Sequence, residues 1–179
     1  MVTFAGALQP GFELYNSTDQ SGNNAGIGGF FGEVGVGLNF SDHSGSYDSE
    51  SDTLLLLNGK IGSDSFDGDK PQSNTPVDVG LKLLITFTPQ VDLTRSFDLT
   101  TVTTTSLAFK AGYRLNSDPQ LRDHAYFGAE MGSKLLGAPY KNITVNPTIG
   151  FTLGITAQKN AQFFDGSSVY AGLTFIVVP

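Results

Sequence analysis

The 179-residue chain contains no cysteine and no tryptophan. Without cysteine, disulfide staples, thiolate metal centres and cysteine nucleophiles are excluded, and the redox compartment is left open. Aromatic residues commonly form the interface belts of membrane barrels. In a membrane reading that role falls to the 14 Phe and 6 Tyr. Basic residues are scarce: 10 Lys and Arg against 17 Asp and Glu give a formal charge of −7, and no basic stripe runs along the chain. Nucleic acid is excluded as a partner on this ground, because displacing counterions from phosphates needs clustered Lys and Arg. Long apolar runs are missing as well. Leu54 to Leu57 is as long as any, far short of the roughly 18 residues that mark a membrane helix. The start, Met1-Val2-Thr3-Phe4-Ala5, lacks the basic, apolar and small-residue regions of a secretory signal, so an exported form is expected to have lost its signal peptide.

What the chain does have is alternation with a period of two, the mark of strands with one apolar and one polar face. Val77, Val79, Leu81, Leu83, Ile85 and Phe87 share one face, opposite Asp78, Gly80, Lys82, Leu84 and Thr86. Leu107, Phe109, Ala111, Tyr113 and Leu115 oppose Ala108, Lys110, Gly112 and Arg114. The pattern recurs over 125–134, over 143–157, over 169–177 and, earlier, over 33–40. Thr53 to Ile61 reads as a strand whose orientation is ambiguous, because apolar residues occupy both faces near its start. A weaker strand precedes Tyr15 and is expected to break at Pro10-Gly11. Segments rich in Gly, Asn, Asp, Ser and Pro separate these runs. The expected fold is therefore all-β: a single antiparallel up-and-down barrel of about eight strands, one domain over residues 1–179.

Alternation does not say which face meets the surroundings, since a soluble ligand-carrying barrel hides its apolar face and a membrane barrel displays it. The polar face is built repeatedly from Gly beside single charges, as in Glu33/Gly35/Gly37, Lys110/Gly112/Arg114 and Gly128/Glu130/Gly132/Lys134. Mid-strand Gly on a solvated surface packs nothing, whereas a narrow eight-stranded lumen requires small residues beside large ones. About 11 residues at ~3.3 Å each, tilted by ~40°, give a belt of roughly 25–28 Å, close to that of outer-membrane barrels. Phe109-Lys110-Ala111-Gly112-Tyr113-Arg114-Leu115, Tyr126-Phe127-Gly128-Ala129-Glu130 and Val169-Tyr170-Ala171-Gly172-Leu173-Thr174-Phe175 resemble the eight-stranded outer-membrane barrels of the OmpA/OmpX type and their opacity-protein-like relatives. The resemblance implies a transmembrane barrel whose lumen is plugged by ion pairs. Ser41 to Asp52 stands where that family has a short inner turn, yet it is long and acidic.

The expected lumen charge network is Glu33, Asp78, Lys82, Lys110, Arg114, Glu130 and Lys134. Ions buried together must pair, because an unpaired one costs several kcal/mol. His43 and His124 lie in or beside loops, outside any recognisable nucleophile motif, and are expected to be solvated. Asp42, Asp48, Glu50 and Asp52, followed by Asp64, Asp67 and Asp69, are oxygen-rich but do not match an EF-hand. No cofactor, catalytic residue or metal site is expected. The function expected is a non-enzymatic outer-membrane barrel, serving as anchor, adhesion protein or narrow pore. Its expected partners are outer-membrane lipid and, through the polar loops, lipopolysaccharide or surface ligands. The alternatives are a soluble barrel or jelly roll, either ligand-binding or a virion shell protein, and an outer-membrane hydrolase.

Overall fold

The computed structural model describes residues 2–18, 24–42, 51–66, 73–87, 104–118, 121, 123–133, 143–155 and 166–177. Nine strands run through them: β1 (Val2–Thr18), β2 (Asn24–Asp42), β3 (Ser51–Phe66), β4 (Ser73–Asn74), β5 (Val77–Phe87), β6 (Thr104–Leu115), β7 (His124–Ser133), β8 (Ile143–Ile155) and β9 (Ser167–Val177). Every ladder is antiparallel, and the neighbour order β2-β1-β9-β8-β7-β6-β5-β3 closes on itself through β2–β3. Eight strands thus form an up-and-down barrel, and β4 is a two-residue addition to β3 through Asp64↔Asn74 and Ser65↔Ser73. Closure leaves no barrel strand with an unpaired edge.

The first three strands run further than alternation suggests, β2 beginning at Asn24 rather than Glu33 and β3 ending at Phe66 rather than Ile61. β1 is continuous through Pro10, which stays in register opposite Gly32 of β2. On its other side, pairing with β9 stops at Leu8↔Phe175 and resumes at Gly11↔Gly172, as a residue without an N–H dictates. The expected break is a local gap in one ladder rather than the end of a strand. Across Ser41 to Asp52 the β2–β3 ladder continues through Ser41↔Asp52 and Asp42↔Ser51. Part of the segment read as a long turn is therefore strand, leaving 43–50 between the two. β1 begins and β9 ends at the same end of the barrel, hereafter the terminal end; the opposite end is the far end.

The side chains are distributed inside out relative to a soluble barrel. Val34, Val36 and Leu38 of β2, Val79, Leu81 and Leu83 of β5, Phe109 of β6, Ile149 and Phe151 of β8 and Val169 of β9 are all exposed. Among the described residues, the buried side chains are more often polar or charged than hydrophobic. The ambiguity over β3 resolves the same way: Leu55 and Leu57 face out, while Leu54 and Leu56 face in, fully buried. The interior is consequently not polar throughout. Leu54, Leu56, Leu84, Ala108, Ala5 and Ile176 form an apolar cluster toward the terminal end.

Where two backbones approach inside the wall, Gly is obligatory. Gly80 of β5 faces Gly112 of β6. A Cβ on Gly112 would come within 2.6 Å of the Val79 carbonyl oxygen and 2.7 Å of the Tyr126 hydroxyl. Small residues here make room for the large polar side chains of neighbouring strands.

Candidate functional site

The lumen between the apolar cluster and the far end is filled by two quartets of ions. In the quartet nearer the far end, Arg114 of β6 is bidentate to Asp78, directly opposite it on β5, with Nε donating to Oδ1 at 2.7 Å and Nη2 to Oδ2 at 2.8 Å. Arg114 Nη2 also reaches across to Glu13 of β1 at 2.9 and 3.1 Å. Lys60 of β3 completes the group, paired with Glu13 and, at 3.2 Å, with Asp78. Planar guanidinium geometry suits two carboxylates at once.

The second quartet has a tighter problem. Lys82 and Lys110 stand directly opposite each other on β5 and β6, an arrangement of like charges that destabilises a ladder by itself. Glu33 of β2 and Glu130 of β7 bracket them. Lys82 pairs with Glu33 at 3.1 Å and Glu130 at 2.5 Å; Lys110 pairs with Glu33 at 3.1 Å and Glu130 at 3.5 Å. Neutral groups fill in around the ions. Asn58 donates to Glu33 at 2.8 Å, and the Tyr170 hydroxyl donates to Glu130 at 3.0 Å. Gln9 accepts from Lys82 and donates to Thr148, both at 3.0 Å. Aromatic faces take up cationic charge as well: Lys110 lies 4.2 Å from the Tyr170 ring centroid and Arg114 4.7 Å from that of Tyr15.

Within the two quartets four acids and four bases therefore cancel, and all eight side chains are buried; Asp64 of β3 is a further buried acid. Cancellation matters, because ions in a low-dielectric interior are tolerated only when paired and hydrogen-bonded. Of the residues assigned to the lumen from sequence, Glu33, Asp78, Lys82, Lys110, Arg114 and Glu130 are brought together; Lys134 lies outside the described residues. Glu13 and Lys60 are added. Their signal was present: Gln9, Gly11, Glu13 and Tyr15 alternate with Leu8, Phe12 and Leu14 on either side of Pro10, and Asn58, Lys60, Gly62 and Asp64 alternate with Leu57 and Ile61. Pro10 and the run Leu54 to Leu57 masked those two alternations.

At the far end, the described start of the β6–β7 connection is held to β4. Asn74 Oδ1 accepts from the Ser117 N–H at 2.9 Å, the Ser117 hydroxyl at 3.2 Å and the Asp118 N–H at 3.2 Å, and its amide donates to Asn116 at 2.9 Å. Leu121 is buried against Tyr15. His124, expected in solvent, is instead buried: its ring stacks on Tyr15 with centroids 5.8 Å apart, and Nδ1 lies 3.5 Å from the Tyr15 hydroxyl. Gly166, at φ +80°, sits against the same ring, where a Cβ would come within 2.8 Å of it. His43 lies outside the described residues, as do Asp48, Glu50, Asp67 and Asp69. Among the described residues no three His, Cys, Asp or Glu side chains are grouped to hold a metal ion.

No protein-family model matches the chain, and no curated protein matches it. Among solved structures it is similar to the outer membrane protein OprG from Pseudomonas aeruginosa, with 10% identity over 98% of this chain and 94% of that one, at a TM-score of 0.36. It is also similar to Ail, the attachment invasion locus protein of Yersinia pestis, solved with the heparin analogue sucrose octasulfate, with 8% identity over 98% of each chain at a TM-score of 0.28.

Proposed function

We propose that this chain is a non-enzymatic outer-membrane barrel: a structural anchor whose lumen is plugged by ion pairs and whose polar connections form its contact surface. The observation that carries the reading is the inverted polarity of the wall. Exposed Leu, Val, Ile and Phe occur on all eight barrel strands, while the ions point inward. A large apolar side chain left in water forgoes about 1.5–3 kcal/mol. A belt made of many such residues would exceed the ~5–15 kcal/mol net stability of a domain. A bilayer removes that penalty, and a closed barrel with an even number of antiparallel strands meets the bilayer's demand that every backbone group be paired internally.

The ion pairs of the lumen support the plugged reading. Arg114 and Glu13 bridge strands on opposite walls, and Lys82 is clamped between Glu33 and Glu130, so an ion path would have to break several desolvated pairs at once. The partners fitting this reading are lipid around the belt and surface ligands, lipopolysaccharide among them, at the connections. A test is reconstitution from urea into lipid vesicles and planar bilayers. The reading expects folding only with lipid or detergent, and no discrete conductance steps. A monodisperse folded protein in plain buffer, or stable channel steps from the unaltered chain, overturns it.

A further inference from the structure

The ion quartets stop abruptly along the barrel axis. Lys82 faces Leu56 across the β3–β5 ladder, and one inward position closer to the terminal end the same ladder pairs Leu54 with Leu84. Leu84 in turn faces Ala108, and Ala108 faces Glu130. Ionic and apolar layers are thus immediate neighbours. Leu54, Leu56 and Ala108 have no exposed surface at all and Leu84 has 1%, while Ala5 and Ile176 close the cluster from β1 and β9. Leu54, Leu56, Leu84 and Ala108 come from the adjacent strands β3, β5 and β6, and Ala5 and Ile176 from β1 and β9 on the opposite side of the ring, so the cluster spans the bore rather than lining one wall. Ser106 and Asn146 border it and engage each other at 3.4 Å.

The plug needs none of this. The eight ions are already balanced, and more small residues or more polar pairs would fill the same space. Leucines at inward positions instead fill the middle of the bore with side chains that offer water no hydrogen-bonding group, with Asn39, Ser106 and Asn146 at their border, and apolar interior space of this kind stays dry. Dry constrictions stop ions without any charge.

We infer that this apolar layer is a second, independent seal, so that the lumen is a blind polar chamber closed toward the terminal end even when the ion pairs are broken. The inference rests on the plugged-barrel reading and deepens it. It assigns the block to two barriers in series: the ions, and the leucines beneath them.

The test is planar-bilayer recording on four proteins: the unaltered chain, a network variant, a seal variant and their combination. The network variant is Glu13→Ser, Lys60→Ser, Glu33→Ser and Lys82→Ser, which removes the bridges across the bore in neutral pairs and leaves Asp78–Arg114 and Lys110–Glu130 along the wall. The seal variant is Leu54→Ser, Leu56→Ser and Leu84→Ser. Folding of each is read by its heat-modifiable migration in SDS, and Ala replaces Ser at the same leucines if the Ser form does not fold. The inference expects silence from the first three proteins and discrete steps from the combination alone. Steps from the network variant or from the seal variant, or silence from a folded combination, overturn it. Steps from the unaltered chain overturn the plugged-barrel reading itself, so the two failures are distinguishable.

Discussion

Arg114 Nη2 donates to both carboxylate oxygens of Glu13, at 2.9 and 3.1 Å, from the strand that lies diametrically across the barrel. The two residues are 101 positions apart in sequence, and their strands share no ladder. The contact therefore ties opposite walls together, which no backbone hydrogen bond of a barrel can do.

Removing one end of that tie leaves buried positive charge behind. Glu13→Ala strips Lys60 of its closer partner and Arg114 of its cross-lumen one. The expected loss is about 3–5 kcal/mol, the range for a buried pair broken from one side. Glu13→Ala combined with Lys60→Met is expected to cost less than the single change, because the neutral pair leaves with it. Urea-driven folding equilibria in lipid vesicles measure both.

The outer wall responds to charge according to depth. Leu81→Arg, on the exposed face of the central part of β5, is expected to cost about 2–4 kcal/mol, as Arg does near a bilayer midplane. Leu115→Arg, at the far end of β6, should cost no more than about 1 kcal/mol. The same vesicle equilibria give the comparison; equal costs at both positions would deny the belt its depth profile.

Inside the wall, bulk is the limit. Gly112→Val drives side-chain carbon into the Val79 carbonyl and the Tyr126 hydroxyl and is expected to cost about 1–3 kcal/mol, as overpacking does. Gly59→Val points outward, where nothing lies within 4 Å, and should leave stability within about 0.5 kcal/mol.

At the far end, the Asn74 side chain is the hub of the hydrogen bonds that hold Asn116, Ser117 and Asp118, beside the Thr75 N–H bond to the Ser117 hydroxyl. Asn74→Ala removes the acceptor shared by Ser117 and Asp118 and the donor to Asn116. Amide hydrogen exchange at Ser117 and Asp118 is expected to rise by at least tenfold, consistent with about 1–3 kcal/mol for hydrogen bonds left unmade, while the β5–β6 ladder keeps its protection.

Strand number, closure and the facing of most ions were legible in the sequence because alternation with a period of two reports the pleat directly, and Asp78, Lys82, Lys110 and Arg114 sit in unbroken alternating runs. Legibility failed where one residue carried two signals. Pro10 reads as a strand end, yet β1 needs to forgo pairing on its β9 side only, a distinction that depends on which neighbour lies where. The leucines at 54–57 hide their own alternation because half of them face inward, into the apolar cluster. That cluster depends on Leu84 and Ala108, which ladder pairing brings up from β5 and β6. His124 looked like a loop residue because nothing near it in sequence announces Tyr15, 109 positions away.

In the proposed outer-membrane setting the greasy face of the wall meets lipid and the charged face does not. Because the chain has no cysteine, Val36→Cys, Leu81→Cys and Phe151→Cys can each carry a single environment-sensitive fluorophore on the outer wall of the barrel reconstituted in vesicles. Quenching by a lipid-dissolved nitroxide at all three positions, with little quenching by aqueous iodide, is the predicted result. Iodide quenching of all three in a folded protein, with none by the lipid-borne quencher, would contradict it.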